Sequence, residues 1–471
     1  MRDTINIPAF GGINKLHTRD PGQSSKGQNF WTRGGSLVSR GGSELIGGTT
    51  PFMSAIRSIH TGVRVGVPAR LLVEEGRMLW VRPQEGAAWT NLRFDLDTTG
   101  TPLNSAIWKG FLLLFSGTRM LAYDIQNNTI ADITNSGGNP VPVMQHVAVD
   151  KDIIFGWSPD YPDGHLVRFN GYTKDAQGFI LGRSQNEWPP DFALNVSGSS
   201  GTPVLDVIPF RGYRFCLTQT SSHLIYGDNE DDFRVLPGDN IGAFRAGCSA
   251  LAGNIILWLN FDIKGMPKVY AFTGTQSVVV SQPIEELLME EDFSGVFAKA
   301  LTNQFWLILP GTTSTKCYIY DTDEQQWYIY TYPAVIRATT LIPEQMREQT
   351  IHFGLQSGGV LKLNESNNDF GNPIVTEMLL GPFSAGAMRF RLKRIWLEVE
   401  PRNNFSIQVY ATGDQWQEKG AFSISAKAGN PTSVGTRIHG VRGRSIFLRL
   451  VSTSRINELQ QATLVVGRGG D

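Results

Sequence analysis

Gly110-Phe111-Leu112-Leu113-Leu114-Phe115, a polar break, then Met120-Leu121-Ala122-Tyr123-Asp124: two short apolar runs rich in aliphatic and aromatic residues, parted by turn residues, read as paired β-strands. The same unit recurs on both sides of this stretch. Before it come Ala69-Arg70-Leu71-Leu72-Val73 and Met78-Leu79-Trp80-Val81. After it come Asp152–Trp157 with Leu166–Phe169, Tyr213–Leu217 with His223–Tyr226, and Asn254–Trp258 with Lys268–Phe272. Gln304–Ile308 with Cys317–Asp321, then Thr350–Gly354 with Gly359–Leu363, complete the series. Seven copies lie between Gly62 and Asn372, and a spacing of roughly 40–60 residues with several short strands per unit indicates propeller blades. A single blade cannot bury both its faces, whereas a ring of blades hides them and leaves only short edges. The expected fold class is therefore all-β, a β-propeller of about seven degenerate blades. A string of hairpins forming sandwiches is the other arrangement the repeats allow.

The flanks have different textures. Residues 1–58, rich in Gly, Ser and polar residues with little periodicity, read as an N-terminal arm, extended and pinned onto a core. Residues 59–372 are the propeller-like domain. From 373 to 471 the chain alternates apolar and charged residues, most plainly from Met388 to Glu400, and reads as a C-terminal β-sandwich. The alternation slips at Lys393-Arg394, where a bulge is expected. One helix is expected, Pro283 to Glu291, with Ile284, Leu287 and Leu288 on one face and Pro in its first turn.

Composition agrees with strands and turns: of 471 residues, 51 are Gly, 10% are aromatic and only 18% are charged. A formal net charge of −1 gives no overall pull toward nucleic acid or an anionic membrane. The charge is uneven, however. Leu380 to Asp471 holds 13 Lys and Arg against 6 Asp and Glu, and the remainder holds 29 against 37. Such asymmetry marks parts with separate neighbours. Cys216, Cys248 and Cys317 are far apart and outside any C-x-x-C pair, as expected for a chain folded in a reducing cytoplasm. Met1-Arg2-Asp3-Thr4 opens no apolar signal core, and no run of 18 apolar residues exists, so stable membrane insertion is not expected.

A search for chemistry returns no catalytic set: no G-x-S-x-G, no P-loop, no H-E-x-x-H, and seven scattered His. Asp160-Tyr161-Pro162-Asp163-Gly164-His165 offers metal-type ligands but is turn chemistry. Asp228-Asn229-Glu230-Asp231-Asp232 resembles a calcium loop in charge and lacks the glycine and distal Glu of one. Glu290-Glu291-Asp292 reads as a solvated helix end. No cofactor, no metal and no enzymatic activity are expected. Arg389, Arg391, Lys393 and Arg394 form a basic stretch in which alternation places the first three on one strand face. They suit phosphates of DNA or the acids of a neighbouring subunit, and an ordinary solvated face is the plain alternative.

The arm carries a resemblance. Phe10-Gly11-Gly12-Ile13, Asp20-Pro21-Gly22-Gln23, Gln28-Asn29-Phe30-Trp31 and Gly35-Ser36-Leu37-Val38-Ser39-Arg40-Gly41-Gly42 follow an order of short motifs that resembles the podovirus tail nozzle proteins, the tail tubular protein B group. Pro209–Leu217 with His223–Tyr226, Gly265–Gly274, Pro283–Leu288, Phe390–Glu400 and Gly443–Leu450 are similar to the tail hub that stabilises packaged DNA in Salmonella short-tailed phages. The stretch from Asp175 to Pro203 has no match in that pattern. Gly11, Gly12, Ile13, Asn29, Arg40 and Gly41 carry the arm motif. The resemblance implies a virion structural protein of a phage tail, assembled in the bacterial host cytoplasm. It implies a ring, six-fold in the family, below portal and adaptor. That ring would close the DNA exit channel until DNA ejection and carry tail fibres or spikes. Its partners would be its own copies (a hexamer), the adaptor ring, the fibres or spikes, and genomic DNA in transit. Two rivals stand beside it: a carbohydrate-binding propeller or tail fibre that reads the host surface, and a propeller glycosidase with two carboxylates flanking the bond.

Overall fold

The computed structural model describes residues 2–15, 23–46, 51–97, 101–133, 141–343, 349–384, 389–399, 405–413, 418–427, 432–453, 456 and 458–468, apart from the single positions 143, 178, 365, 367, 370 and 440. Seven sheets, antiparallel but for one short pairing of Asp369 beside Ser43 in the seventh, follow one another along the chain as blades of a propeller. Blade one runs from Ile56–Arg64 to Thr90–Arg93, blade two from Asn104–Trp108 to Thr129–Asp132, and blade three from His146–Asp150 to Ala193–Asn195. Blade four runs from Val204–Phe210 to Arg234–Pro237, blade five from Ser249–Ala252 to Ser277–Val279, and blade six from Phe297–Leu301 to Gln326–Tyr332. Each is a four-stranded meander whose first strand is innermost. A hairpin, Tyr172–Lys174 with Ile180–Arg183, is inserted into blade three.

Blade seven is built differently. Ile336–Pro343, Gln349–Leu355 and Val360–Asn364 supply three strands, and Gly42–Leu45 of the arm supplies the next, antiparallel to the third with Leu361 opposite Leu45 and Asn364 opposite Gly42. The innermost strand of blade seven lies beside that of blade one. The ring is thus closed by chain segments from opposite ends of the sequence.

Burial explains why the second and third strands of each copy read as continuous apolar runs. In blade two, Leu112, Leu114, Leu121 and Tyr123 pack on Leu72, Leu79 and Val81 of blade one. Leu113, Phe115, Met120 and Ala122 pack on Val147 and Ile154 of blade three. Both faces are covered, so alternation disappears. Each fully buried Leu or Phe contributes roughly 1.5–3 kcal/mol. Tight two-residue turns join the strands: Arg211 and Gly212, at φ 45° and 89°, connect Phe210 to Tyr213. Positive φ at both centres matches the twist of a hairpin, and Gly at the second accepts it without strain. Indole N–H groups stitch neighbouring blades, Trp108 to the Asp152 carbonyl at 3.0 Å and Trp157 to the Leu205 carbonyl at 3.0 Å.

The sandwich has two sheets. One holds Phe390–Val399, Thr432–Arg437, Arg442–Gly443 and Leu459–Arg468, the other Thr376–Ser384, Phe405–Thr412, Glu418–Ala426 and Ser445–Ser452. Leu392, Ile395, Leu397 and Val399 join Met378, Leu380, Val409 and Leu450 in its core. The expected bulge is present, with the register shifting between Leu392 and Arg394. The sandwich expected from 373–471 also takes four strands from the arm: Arg2–Ile7, Phe30–Arg33 and Ser36–Ser39 in the first sheet, Lys26–Gln28 in the second. These strands are three to six residues long, too short to show a periodicity of their own; pairing with sheet edges supplies their stability. The expected helix is shorter, a 3-10 turn at Gln282–Ile284 and an α-turn at Glu285–Leu288. Ile284, Leu287 and Leu288 are its buried face, as the spacing requires.

Candidate functional site

The arm motif lies along the last strand of blade six, Gly11 to Ile13 at its start, and Asn29 with Arg40 in a buried junction at its end. Gly12 lies so close to blade six that a Cβ would stand 2.5 Å from the Trp327 carbonyl, and Gly11 is similarly pressed against Gln23. The Gly12 N–H donates to the Gln326 side-chain oxygen, and the Ile13 N–H to the Trp327 carbonyl at 2.7 Å. Asn29 adopts φ 62°, a left-handed conformation that Asn tolerates better than most residues. Its Oδ1 accepts from Arg40 Nε at 2.9 Å and the Thr331 N–H at 2.8 Å, and its Nδ2 donates to Thr331 Oγ1 and the Val375 carbonyl. Arg40 is 3% exposed. It donates to the Gly41 carbonyl at 2.8 Å, the Thr331 carbonyl at 2.6 Å and both carboxylate oxygens of Asp369, and its guanidinium lies 4.2 Å from the centre of the Tyr332 ring. Ser43 completes the carboxylate's shell at 2.8 Å. A bidentate, fully donated Arg is the geometry in which a buried ion pair holds.

The basic stretch lies elsewhere, on the outer face of the sandwich. Arg389 and Lys393 are exposed, Arg391 and Arg394 partly so, while Phe390 and Leu392 point inward. Lys393 lies across Gly467. Arg391 stands opposite Arg442, and Arg394 opposite Arg437, in adjacent strands. Arg394 also stacks over Trp396 at 5.1 Å. Two like-charge pairs directly across a ladder are unfavourable on their own.

The acidic motifs are locally committed. Asp160 accepts from the Gln145 amide at 2.7 Å and Asp163 from Arg168 at 2.7 Å. Asn229 closes a turn onto the Asp231 and Asp232 N–H groups, and Glu291 accepts from the Tyr318 hydroxyl at 2.7 Å. No group of three or more metal-type ligands occurs among the described residues.

A concave site that the sequence did not single out lies at the mouth of the central channel, a cavity of about 900 Å³ where the innermost strands begin. Arg57, His60, His146, Asp160, Arg245, Lys299 and Arg337 line it. Arg57 is paired at 2.9 Å with buried Glu74, whose other oxygen accepts from Ser58 at 2.6 Å and the Leu103 N–H at 2.8 Å. His60 bridges the Ser58 and Ser105 hydroxyls, each at 2.8 Å, and burial pushes its pKa down to about 3. Burial likewise lowers His146, stacked on Trp157, to about 4. Asp206 accepts from Ser249 Oγ at 2.7 Å and the Gly247 N–H at 3.2 Å, yet burial raises it to about 7. Lys299 is open to the cavity but enclosed by its walls, and that enclosure lowers its pKa.

No protein-family model and no curated protein matches the chain. Solved structures do. The β-propeller domain of Cps50 (Swd1) from Myceliophteria thermophila is 9% identical, with a TM-score of 0.46 over 68% of this chain and 98% of that one. The Pan2 WD40 domain of Neurospora crassa is 8% identical, with a TM-score of 0.43 over 75% and 98%. PorZ, a surface component of the type-IX secretion system of Porphyromonas gingivalis, is 10% identical, with a TM-score of 0.44 over 85% and 53%. These likenesses concern fold alone, and the propeller assignment stands on the seven sheets.

Proposed function

We propose that the chain is a structural tail protein of a short-tailed phage, of the nozzle or tail-hub type. In this reading, identical copies form a ring that extends and closes the DNA exit below portal and adaptor and docks fibres or spikes, without catalysing a reaction. The supporting observation is the junction. Gly12, Asn29 and Arg40, on which the resemblance rests, are among the residues that lace arm, blade six, blade seven and sandwich into one body. A part that holds packaged DNA under load needs such lacing between its domains. The outward basic face, whose like charges oppose one another, is the surface we assign to an acidic neighbour; the net acidic remainder of another copy provides one. Head-to-tail contacts of this kind close into rings, and rim charges orient partners more than they add affinity. The test is electron microscopy of the purified protein and of particles carrying it, beside mass measurement. Rings below a portal support the reading; isolated fibre trimers, or hydrolytic turnover abolished by one carboxylate substitution, overturn it in favour of its rivals.

A further inference from the structure

The channel mouth is asymmetric in charge, and the asymmetry is local. On the side of blades one to four, the charged groups are already committed. Arg57 is held by Glu74, Asp160 by Gln145, and Asp206 by Ser249 and the Gly247 N–H. On the side of blades five to seven, Arg245, Lys299 and Arg337 are all exposed to the cavity, and among the described residues none has a carboxylate within ion-pair distance.

The two arginines are positioned as well as unpaired, and Lys299 feels Asp206 only from beyond ion-pair distance. Arg245 donates one N–H to the Ser294 carbonyl at 2.9 Å, and Arg337 donates its Nε–H to Gln356 Oε1 at 2.5 Å. Each guanidinium is thereby fixed with donors to spare. Both flank the same short loop: a Cβ on Gly295 would come within 3.3 Å of an Arg337 nitrogen, so the missing side chain leaves the guanidinium its place. Lys299 stands on the innermost strand of blade six, deeper in the channel. Arginine forks match the planar or tetrahedral oxygens of carboxylates and phosphates, and a lysine adds a point charge. Low-dielectric walls concentrate such a field. A cavity of about 900 Å³ is within the range of small-molecule sites.

We propose that the channel mouth binds a small polyanion bearing carboxylate or phosphate groups, held by Arg245, Lys299 and Arg337. The site is independent of the tail-protein reading and can stand or fall separately. The experiment is calorimetric titration of the purified full chain, at low salt, with citrate and with tripolyphosphate in separate runs. Saturable binding of one anion per chain is expected, weakening as salt is added. Lys299→Met and Arg337→Gln should each weaken it about tenfold, the value of one charge-assisted hydrogen bond, and Lys299→Arg should retain it. Arg391→Gln with Arg394→Gln, on the far sandwich face, should leave it unchanged. Binding of citrate alone identifies a carboxylate ligand, of tripolyphosphate alone a phosphate ligand, and of both a site that reads charge. Absence of saturable binding by either anion, or binding that survives the combined Lys299→Met and Arg337→Gln change, overturns the proposal. Circular dichroism of each variant separates loss of the site from loss of the fold.

Discussion

Between blades two and three, Leu113, Phe115 and Met120 meet Val147 and Ile154 in an apolar seam. Between blade six, blade seven and the sandwich, Arg40, Asn29 and Asp369 meet in a buried polar network. The seam asks only for apolar side chains of about the right volume, which many sequences satisfy. That tolerance accounts for the degeneracy of the blades. The junction asks for particular donors and acceptors in fixed positions, because a buried charge left without its partner is far costlier than a lost methylene. The ring is therefore robust to drift, and the lacing that makes one body of ring and sandwich is not.

The largest expected effect follows from that difference. Arg40→Ala leaves the Asp369 carboxylate buried and uncompensated, and should destabilise the chain by about 3–5 kcal/mol. Urea unfolding measures the loss, and limited proteolysis should show the arm cut early. Replacing both partners with apolar residues, Arg40→Met with Asp369→Leu, should recover part of it. If Arg40→Ala leaves the unfolding midpoint in place, the junction is not a linchpin.

The seam responds by a different rule. Leu113→Ala should cost about 3 kcal/mol, transfer plus cavity, while Leu113→Met should cost under about 1.5 kcal/mol. Similar losses for both would mean that the seam, too, depends on exact shape, and the contrast with the junction would dissolve.

How much was legible in the sequence follows the same division. The seven copies were visible because their second and third strands, such as Phe111–Phe115 and Met120–Asp124, are covered on both faces and so are almost wholly apolar. The bulge at Lys393 was visible as a broken alternation. The innermost strands were not, and with them the channel mouth: Asn104–Trp108 opens on Asn104 and Ser105, which line the cavity, and its apolar run is only three residues long. A charged residue at the first strand of a copy, as Lys299 in Phe297–Leu301, is the signal that was available. Three of the arm's strands, Arg2–Ile7, Lys26–Gln28 and Gly42–Leu45, were hidden because their partners are more than 300 residues away, as with Gln28 opposite Glu377. Phe30–Arg33 and Ser36–Ser39 instead pair with each other across Gly34-Gly35, a local hairpin whose turn residues stand in the sequence. The motif there could be recognised by its order, but its chemistry exists only after folding.

The channel wall allows a comparison by pH. His60 is 6% exposed and stays neutral down to about pH 3, whereas in the unfolded chain it takes a proton near pH 6.5. The unfolded state thus binds the extra proton between those values, so stability falls as pH drops through that window, by about 1.4 kcal/mol per pH unit for one proton. His146 acts in the same direction down to about 4. Asp206, raised to about 7, acts oppositely, since the folded state keeps its proton where the unfolded state loses it. His60→Gln retains a hydrogen-bonding side chain for Ser58 and Ser105 and removes one titration. Its stability, measured by urea unfolding at pH 6 and pH 5, should change less than that of the parent by roughly one proton's worth. Equal slopes would mean that His60 is protonated in the folded protein.

The smallest effect on folding belongs to the basic face, and it is the most informative about assembly. Arg391 opposes Arg442, so Arg391→Glu turns a repulsive cross-strand pair into an attractive one. Lys393→Glu and Arg389→Glu alter exposed positions. The triple reversal should shift stability by no more than about 0.5 kcal/mol. If the face meets an acidic neighbour, the same reversal should nevertheless weaken tail assembly in a complementation assay, because like charges brought together across a contact penalise it strongly. The purified variant would then melt like the parent while particles fail to mature. Intact tails would refute charge pairing at this face. Tails that assemble but leak packaged DNA, or fail to eject it, would instead place these side chains against the phosphates of the DNA. In that case the defect should deepen as salt is lowered, since counterion release is the source of such contacts.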